Sequence, residues 1–303
     1  METTFNFKIS NNIKERIDVF LSRELSITRN RAQQLIKSGC VLINSRESKP
    51  SAITRWNDNI YVALPEIKEV GLIPQEISLD IIFQDDHLMV INKPPGLVVH
   101  PARGHQDSTV VNAVLFHCPQ MKGINNELRP GIVHRLDKDT SGIMVIAKDE
   151  KSHNFLASQI KNRKILKEYL ALVRGIPAPE EGTIIAPIGR HPVYRKKMTV
   201  IESGREAVTC YKIEKKFNLY SLLKLKLITG RTHQIRVHLS YKGYPIAGDP
   251  LYGKQKGVLG LKRQALHATK LGFIHPLTEK WMEFSAPLAE DIKKVLDELE
   301  REL

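Results

Sequence analysis

Apolar positions recur along this chain with two periods, and the change from one to the other divides it into elements. Ile13, Ile17, Phe20, Leu21 and Leu25 fall at helical spacing, so residues 13–39 read as two helices, the first with an apolar stripe. Thr28 can cap the second helix and Gly39 can end it. Residues 40–43 and 59–64 read as short strands. From 65 to 78 there are two prolines, a glycine and no period, which reads as a linker.

Beyond the linker, 79–83, 88–92, 143–147, 169–173, 207–213 and 222–228 read as strands. The last is the clearest, because Leu223, Leu225 and Leu227 alternate with Lys224 and Lys226, as on a half-buried strand. Helices are predicted through Val110, Val111, Val114 and Leu115 with Asp107 or Ser108 as cap. Others are predicted over 151–163 with Phe155, Leu156 and Ile160 inward, over 232–241, and from Pro287 through Val295 and Leu296. Strands and helices mix without a regular βαβ repeat. The expected fold is therefore α+β: a larger domain with a mixed, largely antiparallel sheet flanked by helices, plus a small N-terminal α+β domain. The expected domains are 1–65 and 79–303, joined by a linker over 66–78.

Composition narrows the partners. The chain has 303 residues, of which 42% are hydrophobic, enough for a real core and against global disorder. A net charge of +13 points to a polyanion. No stretch of 18 apolar residues suggests a membrane span, and the N-terminus has neither the basic start nor the apolar core of a signal peptide. Cys40, Cys118 and Cys210 are far apart and odd in number, which fits a reducing cytoplasm rather than a zinc or disulfide framework.

The candidate chemistry centres on His134-Arg135-Leu136-Asp137-Lys138-Asp139-Thr140-Ser141-Gly142. Asp137 sits among cations and hydroxyls directly before an apolar strand. Neighbouring cations keep a carboxylate ionised, and such a group can act as nucleophile, base or metal ligand. A calcium loop beginning at Asp137 needs a glutamate at its twelfth position, where this chain has Lys148. A magnesium-dependent phosphatase needs a long apolar strand ending at its first aspartate; here Gly131-Ile132-Val133 is cut by His134-Arg135. Arg231 follows Gly230 ahead of a helix start, and its planar fork suits a carboxylate or a phosphate equally. Tyr169 alternates along a strand with Lys167 on the same face; alone it reads as an ordinary core tyrosine. His100, His105, His134, His233 and His238 show no metal spacing, so no metal is expected. Two basic runs, Lys161 to Lys167 and Arg190 to Lys197, are solvated faces or phosphate contacts.

These motifs do not stand alone. Ile91 to Pro101, Lys167 to Ala171, Thr229 to His238, Gly248 to Gly253 and Gln264 to Ala268 follow in an order that resembles the pseudouridine synthases. The likeness is to the branch that modifies large-subunit ribosomal RNA and some tRNAs, and it covers the chain from about Leu79 onward. It implies an enzyme that breaks the bond from ribose to a ring nitrogen of uridine, turns the uracil and rejoins it through carbon, without a cofactor. It makes Asp137 the nucleophile, attacking ribose or uracil, and Arg231 its partner. It places Tyr169 against the base, where it stacks and offers a route for proton removal. Arg135 would fill the space left by a flipped base, and His134 and Lys167 would contact RNA. Arg29 to Ile36 and Val41 to Asn44 resemble an S-four-like RNA-binding module, whose basic side would carry Arg29, Arg31 and Lys37. No acid lies between Leu25 and Arg46. The implied substrate is 23S rRNA, free or in a large-subunit particle, and the implied form a cytoplasmic monomer. A ribosome-assembly factor that binds RNA without catalysis is the second reading.

Overall fold

The computed structural model describes residues 3–10, 14–25, 27, 29–64, 72–101, 107–121, 130–253 and 258–303. Its contacts divide the chain into two units, Met1–Gly71 and Leu72–Leu303.

The first unit contains β1 (Thr3–Lys8), α1 (Ile17–Glu24), α2 (Arg29–Lys37), β2 (Val41–Ile43), β3 (Arg46–Glu47) and β4 (Asn59–Leu64). The strands form an antiparallel sheet in the order β1-β4-β2-β3. Ile17, Phe20 and Leu21 of α1 and Leu35 and Ile36 of α2 bury themselves with Val41, Ile60 and Val62, so the apolar stripe does form this core. The second helix stops at Lys37, and Gly39 takes φ +76°, a backbone region where a glycine is unstrained. Ile13 and Thr28 lie outside the described residues. The strand β1 is unforeseen: its core-facing residues are Phe5 and Phe7 alone, and its partner β4 is over 50 residues away in sequence.

The second unit opens with β5 (Asp80–Gln84), β6 (Leu88–Lys93), α3 (Val110–His117), β7 (Ser141–Ala147) and α4 (Glu150–Lys161). It continues with β8 (Leu166–Arg174), β9 (Glu181–Ile185), β10 (Ile188–Arg190), β11 (Met198–Val200), β12 (Val208–Lys216) and β13 (Tyr220–Leu227). It closes with α5 (Gln234–Tyr241), β14 (Leu266–Ile274), β15 (Trp281–Ser285) and α6 (Glu290–Arg301). A nine-stranded sheet runs β5-β6-β7-β14-β8-β13-β12-β9, with β15 added to β14. Among its described pairings only β7 with β14 is parallel, so the sheet is mixed and largely antiparallel, and the fold is α+β.

Several expected boundaries move for local reasons. Residues 72–78, expected as linker, lie on α3: Gln75 N–H donates to the Asn112 carbonyl (3.0 Å) and Asn112 Nδ2 to the Ile73 carbonyl (2.9 Å). Neither Asp107 nor Ser108 caps α3. Thr109 does, in a reciprocal box with Asn112. The helix expected over 232–241 begins at Gln234, because His233 takes a left-handed φ of +56°.

The strand β7 is the rigid element behind the Asp137 loop. All seven of its residues are buried, and each large apolar side chain there contributes about 1.5–3 kcal/mol. Gly142 on this strand has φ +116°, and a Cβ added there would run into the Ala268 backbone of β14. The close parallel contact of β7 with β14 thus requires glycine. Gly142→Ala is expected to lower unfolding free energy by on the order of 3 kcal/mol, read as a lower urea midpoint at unchanged slope.

Candidate active site

The loop carrying Asp137 is fastened along its length. Thr140 N–H donates to the Asp137 carbonyl (3.1 Å), and the Lys138 carbonyl accepts from Gly96 N–H (3.0 Å) and from Lys93 Nζ (3.0 Å). Lys93 is fully buried and also donates to the carbonyls of Pro94 (2.7 Å) and Leu97 (3.0 Å). Burial pulls its pKa down to about 7, against the opposing charge of Asp139. Arg263 Nη1 donates to the Asp139 carbonyl (2.9 Å) and Gln264 Nε2 to Thr140 Oγ1 (3.1 Å). Ser141 Oγ meets His267 Nδ1 at 2.9 Å. Arg263 is itself paired with Asp291 of α6 (2.6 Å), so the C-terminal helix braces the loop.

The carboxylate's guanidinium partner is Arg236, not Arg231. Arg236 Nη1 donates to Asp137 Oδ2 (2.9 Å), while its Nε and Nη2 hold Asp249 through both oxygens (2.7 and 2.9 Å). Arg231 instead donates its Nε to the Glu206 carbonyl (2.9 Å) and lines the cleft. The cause is the turn at 230–233. Gln234 Oε1 accepts from Arg231 N–H (2.9 Å) and Thr229 Oγ1 (2.8 Å), and left-handed His233 delays the helix. The inward face of α5 therefore presents Arg236. Burial opposes the charge of Arg236, but its bonds to Asp249 and the charges of both aspartates raise its pKa beyond the ordinary value. Burial likewise works against the Asp249 charge, and Arg236 with the N–H groups of Tyr252 and Leu251 holds that carboxyl low.

A second layer stands behind this pair. The Arg236 guanidinium lies over the Tyr252 ring, 5.1 Å from its centroid. Tyr252 Oη accepts from Met198 N–H (2.8 Å) and is 2.8 Å from His233 Nδ1. The other ring nitrogen of His233, Nε2, lies on the Asp137 side. That nitrogen is 3.9 Å from Asp137 Oδ2, an electrostatic contact too long for a hydrogen bond. Burial lowers the His233 pKa despite Asp137.

A cleft of about 320 Å³ opens over Asp137. Tyr169, Lys167, Arg135, His134, Arg231 and His233 all line it. Tyr169 and Lys167 share one face of β8, while Glu168 on the other pairs with Lys224 (3.2 Å). Burial, and after it the charge of Asp137, push the Tyr169 phenol well above its ordinary pKa, so the ring is neutral at physiological pH. Burial lowers the Lys167 pKa. Arg135 is exposed, with Nη1 3.4 Å from His100 Nε2. His134 Nε2 accepts from Val145 N–H (3.0 Å). Burial, then Lys167, drop its pKa to about 3. The expected RNA contact His134 is thus a neutral ring that anchors the loop to β7 and lines the cleft. His238, between Thr209 and the Ala186 carbonyl (both 2.9 Å), is structural. His105 lies outside the described residues.

In the first unit, Arg29 Nε donates to the buried Asp18 carboxylate (3.0 Å), which also holds Arg16 (3.0 Å) and Gln33 (2.6 Å). Arg29 therefore has an internal partner that braces α2 against α1. Lys37 is exposed in the last turn of α2, and Arg31 is half-buried.

Residues missed by sequence reasoning are Arg236, Asp249, Tyr252 and Arg263. Each lies inside or beside a quoted motif, and the signal available was the excess of buried-type charge: two arginines and one aspartate in segments rich in apolar neighbours.

The cleft thus sets a carboxylate clamped by arginine beside a neutral aromatic ring and several cations. A model of the RNA pseudouridylate synthase family matches residues 87–241, and one of the S4 domain matches 15–58. The chain belongs to this family, and it is an RNA pseudouridine synthase, an isomerase with an S4 RNA-binding domain. Among its relatives, a Bacillus subtilis (strain 168) protein named uncharacterized RNA pseudouridine synthase YlyB is 43% identical over 288 residues, covering 95% of each chain. Ribosomal large subunit pseudouridine synthase D of Zymomonas mobilis is 43% identical over 280 residues, covering 88% of each. The solved structure of human RNA pseudouridylate synthase domain containing 4 is 28% identical with a TM-score of 0.58, over 73% of this chain and 93% of that one.

Proposed function

We propose that the enzyme converts uridines of large-subunit ribosomal RNA to pseudouridine, with Asp137 as the nucleophile. The observation that carries the mechanism is the Arg236–Asp137 pair at the floor of the cleft (2.9 Å), with Asp137 only 17% exposed. A carboxylate paired with a guanidinium through one oxygen and lining a cleft can act as a nucleophile. The reaction breaks the ribose C1′–N1 bond and makes C1′–C5. The proton lost from C5 is matched by one gained at N1, so no oxidant, metal or group donor enters the balance. The fastened loop keeps the carboxylate in place while the uracil turns.

The target base must leave its stack to reach this floor. Exposed Arg135 at the cleft rim is the residue positioned to take the vacated space. Tyr169 stacks on the flipped uracil as a neutral ring, and Lys167 and Arg231 meet flanking phosphates. The neutral phenol makes Tyr169 a poor resting base, so stacking is its main role. Tyr169→Phe is expected to keep activity within about tenfold and Tyr169→Leu to lose on the order of 10²-fold or more, a stacking contact being worth about 1–3 kcal/mol and misplacement adding to it. Single-turnover rates on an rRNA transcript read both.

The substrate assignment rests on the named relatives and the net charge of +13. The S4 domain adds affinity through exposed cations such as Lys37 and through Arg31, since A-form grooves hide base identity and loops must be chosen by shape and charge. The enzyme works as a cytoplasmic monomer. Mapping pseudouridine in large-subunit rRNA of a deletion strain is the test. Loss of one or a few sites, restored by the wild-type gene and not by Asp137→Asn, is the expected result. An unchanged map would remove this substrate.

A further inference from the structure

The described residues between the two short strands β10 and β11 form a projecting tip, His191 to Lys197, that the catalytic geometry does not use. The eight residues 190–197 contain Arg190, Arg195, Lys196 and Lys197 and no acid. Some other cations of this unit pair with carboxylates: Arg163 meets Glu206 (2.7 Å), Lys215 meets Glu300 (2.6 Å) and Lys270 meets Glu283 (2.7 Å). At the tip the internal contacts leave the positive charge intact. Arg190 Nη1 donates to the Arg195 carbonyl (2.8 Å), and Lys197 Nζ stands 6.0 Å from the Tyr194 ring centroid.

Amid these cations Val193 and Tyr194 are 71% and 64% exposed. A large ring open to water among unopposed cations is unfavourable for an isolated surface and fits a platform for an unpaired base beside its phosphates. The tip is also ordered from within. His191 Nδ1 accepts from Val193 N–H (3.2 Å) and Tyr194 N–H (3.1 Å), and the two rings lie 5.1 Å apart. Lys197 N–H donates to the Tyr194 carbonyl (2.8 Å). The ring is thus presented by a braced turn, which lowers the ordering cost of binding.

The hairpin is seated on the active-site helix. Ile188 packs with Val237 of α5, and Met198, Val200 and Tyr252 close over them. Met198 N–H donates to the same Tyr252 hydroxyl that fixes His233 beside Asp137. The hairpin that carries the tip is therefore joined through α5 and Tyr252 to the residues around Asp137.

We infer that the 190–197 tip is a binding site for a single-stranded nucleotide of the RNA substrate, its base stacked on Tyr194 and its phosphates held by Arg195, Lys196 and Lys197. This rests on the enzyme acting on RNA as proposed above, and the test separates the two. An unmodified in vitro 23S rRNA transcript is the probe, and dissociation constant, kcat and KM are measured for the full chain. Tyr194→Ala is expected to weaken binding and raise KM about tenfold or more with kcat within twofold. Tyr194→Phe is expected to match the wild type, and Tyr194→Leu to behave as Tyr194→Ala. Lys196→Ala is expected to reduce the slope of log affinity against log salt by roughly one. Because Tyr194 is exposed, folding is not at issue, and urea midpoints should coincide. Wild-type affinity in Tyr194→Ala with an unchanged salt slope in Lys196→Ala would overturn the site. Failure of the wild type to form pseudouridine in this transcript would instead overturn the substrate, while the binding measurements still decide the tip.

Discussion

Asp137→Asn is expected to abolish pseudouridine formation, by at least about 10⁴-fold in single-turnover rate, while RNA affinity stays within about threefold. The substitution is near isosteric, and the asparagine oxygen can still accept from Arg236 Nη1, which now donates at 2.9 Å. The loop does not depend on this side chain for its place. Its fastenings run through the backbone carbonyls of Asp137, Lys138 and Asp139 and the hydroxyls of Thr140 and Ser141. Removing one negative charge from a cleft that takes a polyanion does not weaken binding. What is lost is the oxygen able to attack carbon, and an amide does not replace it. Release of tritium from C5-labelled uridine in the transcript reports the step directly, because C5 gives up its proton only when the new carbon bond forms. Turnover within about 100-fold of wild type would show that another group begins the reaction.

The outline of this site was readable in the sequence wherever one local rule decided the answer. Asp137 lies in the loop before a strand buried throughout, and five apolar residues in a row after Gly142 were enough to place it on a rigid element. Lys167 and Tyr169 share a cleft-lining face because a strand has period two. Arg236 was not readable in the same way. Choosing between Arg231 and Arg236 required the exact start of α5, and that start is set by a left-handed residue and by a glutamine side chain folded back on the turn. Two residues of shift turn a helix by more than half a circle, enough to exchange which arginine faces the aspartate. The central strand β14 was hidden for a related reason. Leu266–Ile274 mixes His267, Thr269 and Lys270 with apolar residues, and its neighbours β7, β8 and β15 are all distant or later in the chain, so no local alternation marks it. The buried ammonium of Lys93 looks in sequence like any surface lysine; its cage of three carbonyls comes from two loops 45 residues apart.

Arg236→Met is expected to cost both stability and catalysis, and the two losses can be separated. Its guanidinium serves two carboxylates in different directions, and Asp249 has no exposed side-chain surface. Removing it leaves a buried charge unpaired, a defect of about 3–5 kcal/mol, seen as a lower urea midpoint. Replacing both members, Arg236→Met with Asp249→Leu, removes the unpaired charge and is expected to restore part of that stability, the remainder being lost because the N–H groups of Leu251 and Tyr252 no longer have their acceptor. It is not expected to restore activity, because Asp137 then has no cation to hold its orientation. Arg236→Lys tests the geometry: one ammonium keeps the charge but cannot reproduce three directed bonds, so a loss on the order of 10²-fold in rate is expected. Arg231→Ala is the control. Its side chain bonds a carbonyl at the cleft wall, so the expected change is a KM raised severalfold with the single-turnover rate within tenfold. A rate collapse in Arg231→Ala as deep as in Arg236→Met would mean that the two arginines exchange partners when RNA enters, and that the clamp on Asp137 forms only in the complex.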